Sequence, residues 1–245
     1  MTFARTDEQD MLAQAIDQSL AGDCRGWDEV VVPLGLDALG IPEDEGGLGT
    51  DLRDAAVVAA GFGRANAGLP WAEHWVATAH GARGEDGPRA ADDAGALRQA
   101  NDKHVQDRAR DDLALLHSAE MIGLCRTMMA DTAAFLHQRQ QFGKPIAGFQ
   151  VLRHRMADMA MRLEQAEALV DLAIDAGEAE RRRLISAARV MAGRAAQEVG
   201  EGAVQLHGAM GLTAELRLGG YFRRLRALMQ GDGTAAAHLA RYAAA

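Results

Sequence analysis

The sequence predicts a mostly α-helical protein made of two helical blocks. Aromatic residues make up only 4% of the 245 residues, β-branched residues are sparse, and helix-forming Ala, Leu, Met, Arg and Glu dominate. In the second half, apolar residues recur every three or four positions, which is the spacing of an amphipathic helix. Runs that alternate apolar and polar residues over the length of a strand are hard to find.

Charge and cysteine content narrow the class of protein. The 26 basic and 35 acidic residues give a formal charge of −9, which argues against broad, non-specific binding to nucleic acid or to an anionic membrane. Cys24 and Cys125 can form neither a disulfide framework nor a four-cysteine zinc site, and no histidine has the Glu-x-x-His spacing of a di-metal bundle. The longest uncharged run, residues 202–214, is shorter than the roughly 18 residues of a membrane span. Because the amino-terminal residues also lack the pattern of a secretory signal, we expect a cytoplasmic protein without a metal site.

The first block, residues 1–80, is expected to hold short helices around one loop. Thr6 with Gln9 has the spacing of a capping box and should open a helix that ends near residue 21. Pro33 should break or shift a short helix within residues 27–36, and the Gly- and Pro-containing residues 40–51 should form a loop. Further helices are expected over residues 51–63 and 71–80.

Residues 81–110 differ in character from the blocks on either side. Twelve of these 30 residues are charged, and Leu97 and Val105 are their only large aliphatic residues. Because no alternating pattern is present, the segment is interpreted as a solvated connector, either a plain linker or one that includes a polar helix.

The second block is strongly periodic. Residues 113–138 predict one long helix, and two apolar stripes, over residues 152–173 and 184–206, predict two more. Gly208 and Gly211 should end the third helix, residues 218–228 mark another, and Asp232-Gly-Thr234 should cap a last helix that ends near residue 244. Long helices joined by short loops predict a four-helix bundle.

Two segments of this block carry candidate chemistry. The loop over residues 139–150 brings Arg139, Gln141, Lys144 and Gln150 beside Phe142 and Phe149, with a turn at Gly143-Lys-Pro145. Cations and amides next to aromatic faces suit a planar, phosphate-bearing cofactor. The alternative is a structural helix–helix turn whose aromatic side chains only fill space between the helices. The second segment, Gln205-Leu-His207-Gly208-Ala209-Met-Gly-Leu212, has small residues that allow close approach of a flat ligand, or it is a glycine C-cap.

These motifs together resemble the carboxy-terminal helical domain of acyl-CoA dehydrogenases. The resemblance rests on Arg139-Gln-Gln-Phe-Gly-Lys-Pro-Ile, Phe149-Gln150, Ala157-Asp-Met159, the segment at 205–212 and Gly231-Asp-Gly-Thr234, in matching order from about residue 112 to 242. Residues 1–80 resemble a shortened amino-terminal helical domain of that family. The chain is therefore divided into residues 1–80, a connector over 81–111, and a carboxy-terminal bundle over 112–245.

The Tyr221-Phe-Arg-Arg-Leu225 segment, followed by Gly231-Asp232, is similar to one branch of the family. That branch includes pimeloyl-CoA dehydrogenase small subunits and subunits of heteromeric steroid side-chain dehydrogenases.

The resemblance implies FAD-dependent α,β-desaturation of an acyl-CoA thioester. By motif, Arg139, Gln141 and Phe142 would contact FAD on its pyrophosphate and adenine side. Gln150, Gln205, His207, Gly208 and Ala209 would line the same cofactor, and Thr234 would reach it from the last helix. In this family such residues typically reach the FAD of a neighbouring subunit, so a homo- or hetero-oligomer of acyl-CoA dehydrogenase subunits is implied. The apolar stripes, without a β domain to cover them, also favour association.

Two departures from the family pattern affect the functional expectation. Asp232 stands where the family usually has the glutamate base of Tyr-Glu-Gly-Thr, and the alternative base position falls at Ala114; Asp232 is thus the one candidate base, or a turn or cap residue. The family's central β-barrel is replaced by residues 81–110, which are too few for more than two or three strands. Three functions stay open: a catalytic flavoprotein subunit, a non-catalytic partner that completes the FAD site of a full-length subunit, and a helical assembly protein.

Overall fold

A computed structural model describes residues 6–21, 26–81, 103–208 and 217–244. The chain divides into two compact units, Thr2–Glu120 and Met121–Ala245. The boundary falls within one long helix. Helices dominate both units, so the predicted mostly α-helical fold is confirmed.

The described residues of the amino-terminal unit form three helices and the first part of a further long helix. Its elements are α1 (Asp7–Ser19), a π-helical turn (Trp27–Val31), a 3-10 turn (Glu43–Glu45), α2 (Leu52–Ala65), α3 (Trp71–Ala79) and the start of α4 (Lys103–Gln138). The predicted capping box is present: Thr6 accepts a hydrogen bond from the backbone of Gln9, and the Gln9 side chain accepts one from the backbone of Thr6. Asp51 caps α2: its side chain accepts hydrogen bonds from the backbone N–H groups of Arg53 and Asp54.

The core of this unit lies where α1 crosses α2. Ile16 is completely buried, and a Cβ atom at Gly61 would come within 2.7 Å of its side chain, so the absence of a side chain at Gly61 permits the close approach of the two helices. The buried ring of Trp71 donates a hydrogen bond to the Leu36 carbonyl. The helix expected within residues 27–36 is helical only over Trp27–Val31, because Pro33 cannot donate the next backbone hydrogen bond.

Helix α4 starts at Lys103, ten residues before the expected start at residue 113. Its first ten residues contain no stripe of large apolar side chains, which is why periodicity missed them. Ala109 and Asp112 are nevertheless buried, and the Asp112 carboxylate lies 2.9 Å from Nε2 of His80. Residues 103–110 of the connector therefore form part of a polar helix, which is one of the two interpretations of this segment.

In the part of the carboxy-terminal unit that the structure describes, the rest of α4 and four further helices form a helical bundle. These are α5 (Gln150–Ile174), α6 (Glu178–His207), α7 (Leu218–Gln230) and α8 (Ala235–Ala243). Met159, Leu163 and Val170 of α5 are buried together with Ala195 and Val199 of α6. The bundle itself buries most of the apolar stripes over residues 152–173 and 184–206. The expectation that these stripes leave apolar surface for a partner is therefore wrong.

Apolar surface remains elsewhere on the carboxy-terminal unit. Val151, Met161 and Leu172 project from α5, and Phe142 projects from the loop before it. Among the described residues, the only strands are the two-residue pair β1 (Gln140–Gln141) and β2 (Lys144–Pro145). None of the described helices combines the length and apolar character of a membrane span.

Candidate functional site

The loop between α4 and α5 is a tight hairpin. Gln140 pairs with Pro145 and Gln141 with Lys144, and a 3-10 turn over Ile146–Gly148 leads into α5. The two residues at the tip, Phe142 and Gly143, both have positive φ angles, 52° and 77°. Positive φ at both central residues is the geometry of the hairpin turn that matches strand twist, and glycine adopts it freely.

Phe142 is the unusual residue of this hairpin. Its ring is 90% exposed, and a bulky residue rarely adopts a left-handed backbone conformation, which costs about 1–2 kcal/mol. The ring touches Phe149 edge-on at 6.0 Å between centroids, and Nζ of Lys144 lies 4.5 Å from the Phe149 centroid. Phe149 is thus partly buried and contacts Phe142 and Lys144, whereas Phe142 is exposed and has a strained backbone conformation.

Three of the polar residues predicted to contact the cofactor, Arg139, Gln141 and Gln150, lie on the same loop and face solvent. Arg139 is fixed through its backbone: its N–H donates to Phe135 at 2.8 Å, and its carbonyl accepts from Ile146 at 2.9 Å. Its exposed guanidinium has no partner among the described residues. Gln141 is exposed as well, and the exposed Gln150 contacts His154 at 3.3 Å. The hairpin thus presents a cation, amides and an aromatic ring outward.

The second predicted segment begins at the end of α6. His207 is 7% exposed and stacks on Phe135, with ring centroids 4.3 Å apart. Its Nδ1 lies 2.9 Å from the Ala203 carbonyl, so Nδ1 carries a proton and donates to that carbonyl. Gly208 is the C-cap with φ 63°, and Gln205 is exposed. Ala209 and Gly211 lie outside the described residues.

A cavity of about 400 Å³ adjoins the His207–Phe135 stack. Arg217 at its edge makes two hydrogen bonds to the Asp131 carboxylate, at 2.8 and 2.6 Å, and these raise the pKa of the guanidinium. Because Gln138 lines the cavity and precedes Arg139, the hairpin and the cavity lie at the same end of α4. This set of aromatic rings, cations and amides fits the adenosine and pyrophosphate end of a dinucleotide cofactor.

Asp232, the candidate base, is turned toward the protein. Its side chain is 8% exposed, and Oδ2 lies 3.8 Å from Nε of Arg189, which is 5% exposed. Arg189 also donates to the carbonyls of Leu228 and Gly231, at 2.7 and 2.8 Å. Burial lowers the pKa of Arg189, and the Asp232 charge opposes that effect. Asp232 therefore faces a buried cation.

Thr234, two residues on, has a structural role in this unit. Its hydroxyl accepts a hydrogen bond from the backbone of Ala237 at 3.1 Å and caps α8. The expected cap of the last helix is thus provided by Thr234, whereas Asp232 contributes its backbone carbonyl, which accepts from Nε2 of His238 at 2.7 Å.

Sequence reasoning missed Arg189, Phe135 and Arg217. Arg189 carried one usable signal, because it is a charged residue next to Ala188 within the apolar stripe of α6, where a buried cation needs a partner. Nothing in the sequence links Arg217 to Asp131, which lies 86 positions earlier.

Comparison with known proteins agrees with this architecture. The model of the acyl-CoA dehydrogenase carboxy-terminal domain matches residues 109–245. The acyl-CoA dehydrogenase IpdE2 of Mycolicibacterium smegmatis is 39% identical over 114 residues, which are 46% of this chain and 36% of that protein. The matched region is therefore about a third of the length of that relative.

Solved structures match the fold over nearly all of the chain. The ChsE4-ChsE5 complex from Mycobacterium tuberculosis superposes with a TM-score of 0.84 at 16% identity, covering 100% of this chain and 98% of that one. A variant of the Tcur3481-Tcur3483 steroid ACAD has a TM-score of 0.78 at 17% identity, covering 97% of each chain. Because the family model matches more than half of its residues, the chain belongs to the acyl-CoA dehydrogenase family.

Proposed function

We propose that this chain is a subunit of a heteromeric acyl-CoA dehydrogenase and acts as its non-catalytic partner. Its carboxy-terminal unit would complete an FAD site in a full-length subunit of the family. That other subunit would enclose the flavin ring and supply the catalytic base. When bound there, FAD would supply hydride-accepting chemistry for the α,β-desaturation of an acyl-CoA thioester. The residues of this chain would bind and orient the cofactor.

The observation that carries the proposal is the burial of Asp232 against Arg189. A general base must come within hydrogen-bonding reach of the proton that it removes, either directly or through one water. The Asp232 carboxylate is instead nine-tenths buried and faces a guanidinium that is itself fixed by two backbone carbonyls. To act as a base, Asp232 would have to leave a buried charge without its partner, which is costly.

The exposed hairpin supports the cofactor-binding half of the proposal. Arg139 has a free guanidinium among the described residues, and a charged hydrogen bond to a pyrophosphate oxygen contributes about 1.5–3 kcal/mol. Phe142 offers an exposed ring of the kind that stacks on an adenine. A purely structural turn has no need of an aromatic residue held at positive φ, and such strain is characteristic of binding sites.

The relatives support a heteromer. The fold matches a structure of the ChsE4-ChsE5 complex, and 114 residues of the chain are 39% identical to the acyl-CoA dehydrogenase IpdE2. The exposed Val151, Met161 and Leu172 on α5 offer apolar area for such a contact. The competing proposal is a subunit that catalyses desaturation with Asp232 as its own base.

Visible absorption tests the proposal directly. The chain is purified alone and also after co-production with a full-length acyl-CoA dehydrogenase subunit from the same cell. We expect no flavin absorption from the chain alone and a flavin-containing heteromer from the pair. Stoichiometric flavin on the chain alone, or a flavin content of the full-length subunit that is the same with and without this chain, would contradict the proposal.

A further inference from the structure

Arg217 is held in one orientation by three contacts. Its Nε donates to one carboxylate oxygen of Asp131 at 2.8 Å, and its Nη2 donates to the other at 2.6 Å. The guanidinium also lies over the ring of Tyr221, with 5.8 Å between Cζ and the ring centroid. Two parallel hydrogen bonds and a cation–π contact together fix the plane of the guanidinium.

Stability gives little reason for this arrangement. The side chain of Arg217 is 64% exposed and that of Asp131 is 28% exposed, and ion pairs at such exposure contribute little to folding. The third guanidinium nitrogen, Nη1, makes no hydrogen bond within the part of the chain that the structure describes. Because the plane of the group is fixed, the two N–H bonds of Nη1 keep a fixed direction and are available to a ligand.

Arg217 lies beside the last turns of α4, which lead into the exposed hairpin. It lines the cavity of about 400 Å³ together with Asp131, Phe135 and Gln138 of α4, which share one face of that helix because they are spaced four and three positions apart. Gln138 directly precedes Arg139. Asp131 and Arg139 are about 12 Å apart along the helix axis. Arginine side chains are long enough for Arg139 and Arg217 to reach one diphosphate group across that distance.

The charge of a dinucleotide cofactor calls for more than one cation. A diphosphate group has two negative charges, and Arg139 supplies one positive charge. Lys144 adds charge to the hairpin, where its Nζ lies 4.5 Å from the centroid of the Phe149 ring, but it is not among the described residues that line the cavity. Arg217 is an exposed cation in the cavity wall, and arginine binds phosphate oxygens through directed, charge-assisted hydrogen bonds.

We propose that Arg217 is a further cofactor-binding residue whose Nη1 donates to a diphosphate oxygen of FAD, and that Asp131 is the positioning residue that directs it. The inference rests on the proposed function, because it requires FAD at this end of the bundle. Neither residue belongs to the motifs on which the family resemblance is based. Their roles follow from the bidentate ion pair and from its place in the cavity wall.

Asp131→Asn tests the positioning role by the sign of its effect. Asparagine keeps the size of the side chain and removes its negative charge. If charge alone determined binding, this change would strengthen the binding of anionic FAD to the heteromer. If Asp131 positions Arg217, the FAD dissociation constant should instead rise about fivefold, because asparagine cannot accept both guanidinium hydrogen bonds. Unchanged or tighter FAD binding, measured by fluorescence titration of the flavin-depleted heteromer, would overturn the positioning role.

Variants of Arg217 test the binding role. Arg217→Gln should raise the FAD dissociation constant at least about tenfold, and Arg217→Lys should restore little of that loss, because lysine lacks the planar fork that Asp131 holds. The control Arg226→Gln removes an exposed arginine of α7 outside the cavity wall and should keep the wild-type affinity. The phosphorus NMR signals of bound FAD should shift in Arg217→Gln and stay in place in Arg226→Gln. Equal FAD affinity in these two variants, or identical phosphorus signals, would contradict the role of Arg217.

Failure of this role is distinguishable from failure of the proposed function. A heteromer with the wild-type chain that binds no FAD would contradict the proposed function. A heteromer that binds FAD, loses affinity in Arg139→Ala and keeps it in Arg217→Gln would contradict only the role of Arg217.

Discussion

The Asp232 carboxylate and the Arg189 guanidinium form an ion pair within the carboxy-terminal unit, with 3.8 Å between Oδ2 and Nε and both side chains more than nine-tenths buried. Arg189 belongs to α6, and Asp232 lies on the turn between α7 and α8. The pair therefore joins three helices of the bundle, and one guanidinium nitrogen of the arginine also donates to two backbone carbonyls. The residue that the motif predicts as the base is thus engaged in a buried ion pair.

Asp232→Asn should therefore lower the stability of the chain. The change leaves a buried guanidinium charge without its counter-ion, and loss of a buried partner costs about 1–3 kcal/mol. The free energy of unfolding, measured by urea denaturation, should fall by that amount. The control Asp158→Asn removes an exposed carboxylate of α5 and should change the stability by less than about 0.5 kcal/mol. Equal stability of the two variants would mean that the ion pair contributes nothing.

Arg139→Ala should weaken FAD retention in the heteromer. A charge-assisted hydrogen bond to the pyrophosphate contributes about 1.5–3 kcal/mol, so the flavin dissociation constant should rise at least tenfold. Flavin content after gel filtration measures this change. Arg223→Ala, which removes an exposed arginine of α7, is the control and should retain its flavin. An unchanged flavin content in Arg139→Ala would identify the hairpin as a structural turn.

Phe142→Gly separates binding from folding. Glycine relieves the cost of the positive φ angle, about 1–2 kcal/mol, and this gain offsets the lost edge contact with Phe149, about 0.5–1.5 kcal/mol. The melting temperature should therefore stay the same or rise slightly. Stacking on a nucleobase contributes about 1–3 kcal/mol, so FAD affinity of the heteromer should fall at least fivefold. A lower melting temperature with unchanged FAD affinity would make Phe142 a packing residue.

His238 predicts a pH dependence of stability. Burial, followed by the charges of Arg241 and Arg189, lowers its pKa below the ordinary value of 6.5. The unfolded chain therefore takes up a proton near pH 6.5 that the folded chain resists, and stability falls as the pH decreases from 6.5 toward the lower pKa of the folded state. In His238→Gln, the slope of unfolding free energy against pH should be smaller in that window. An identical slope in both proteins would contradict this role of His238.

Local patterns predicted much of the fold. The Thr6–Gln9 capping box and the buried positions of Met159 and Val170 followed from spacing alone, because a helix places every third or fourth residue on one face. The start of α4 at Lys103 did not follow, since its first turns lack an apolar stripe and helix formation there depends on tertiary contacts such as that between Asp112 and His80.

The candidate site was predictable in its composition but not in its geometry. Motifs identified the hairpin from Arg139 to Gln150 and the segment around His207. The ion pair between Arg189 and Asp232 joins residues 43 positions apart, and no local rule connects such residues. For the same reason the sequence does not distinguish a base from a cap at Asp232. The structure places its carboxylate in a buried ion pair with Arg189.

The central claim, that this chain completes a flavin site without supplying the base, is tested most directly by the rate of flavin reduction. Stopped-flow absorption follows bleaching of the heteromer's flavin by an acyl-CoA, with wild-type chain and with Asp232→Asn, at a temperature where both are folded and assembled. The account predicts equal rates, within about twofold. A positioned base typically contributes about 10²–10⁴ in rate. A decrease of that size in Asp232→Asn, at unchanged flavin content and assembly, would contradict the claim and make Asp232 the base.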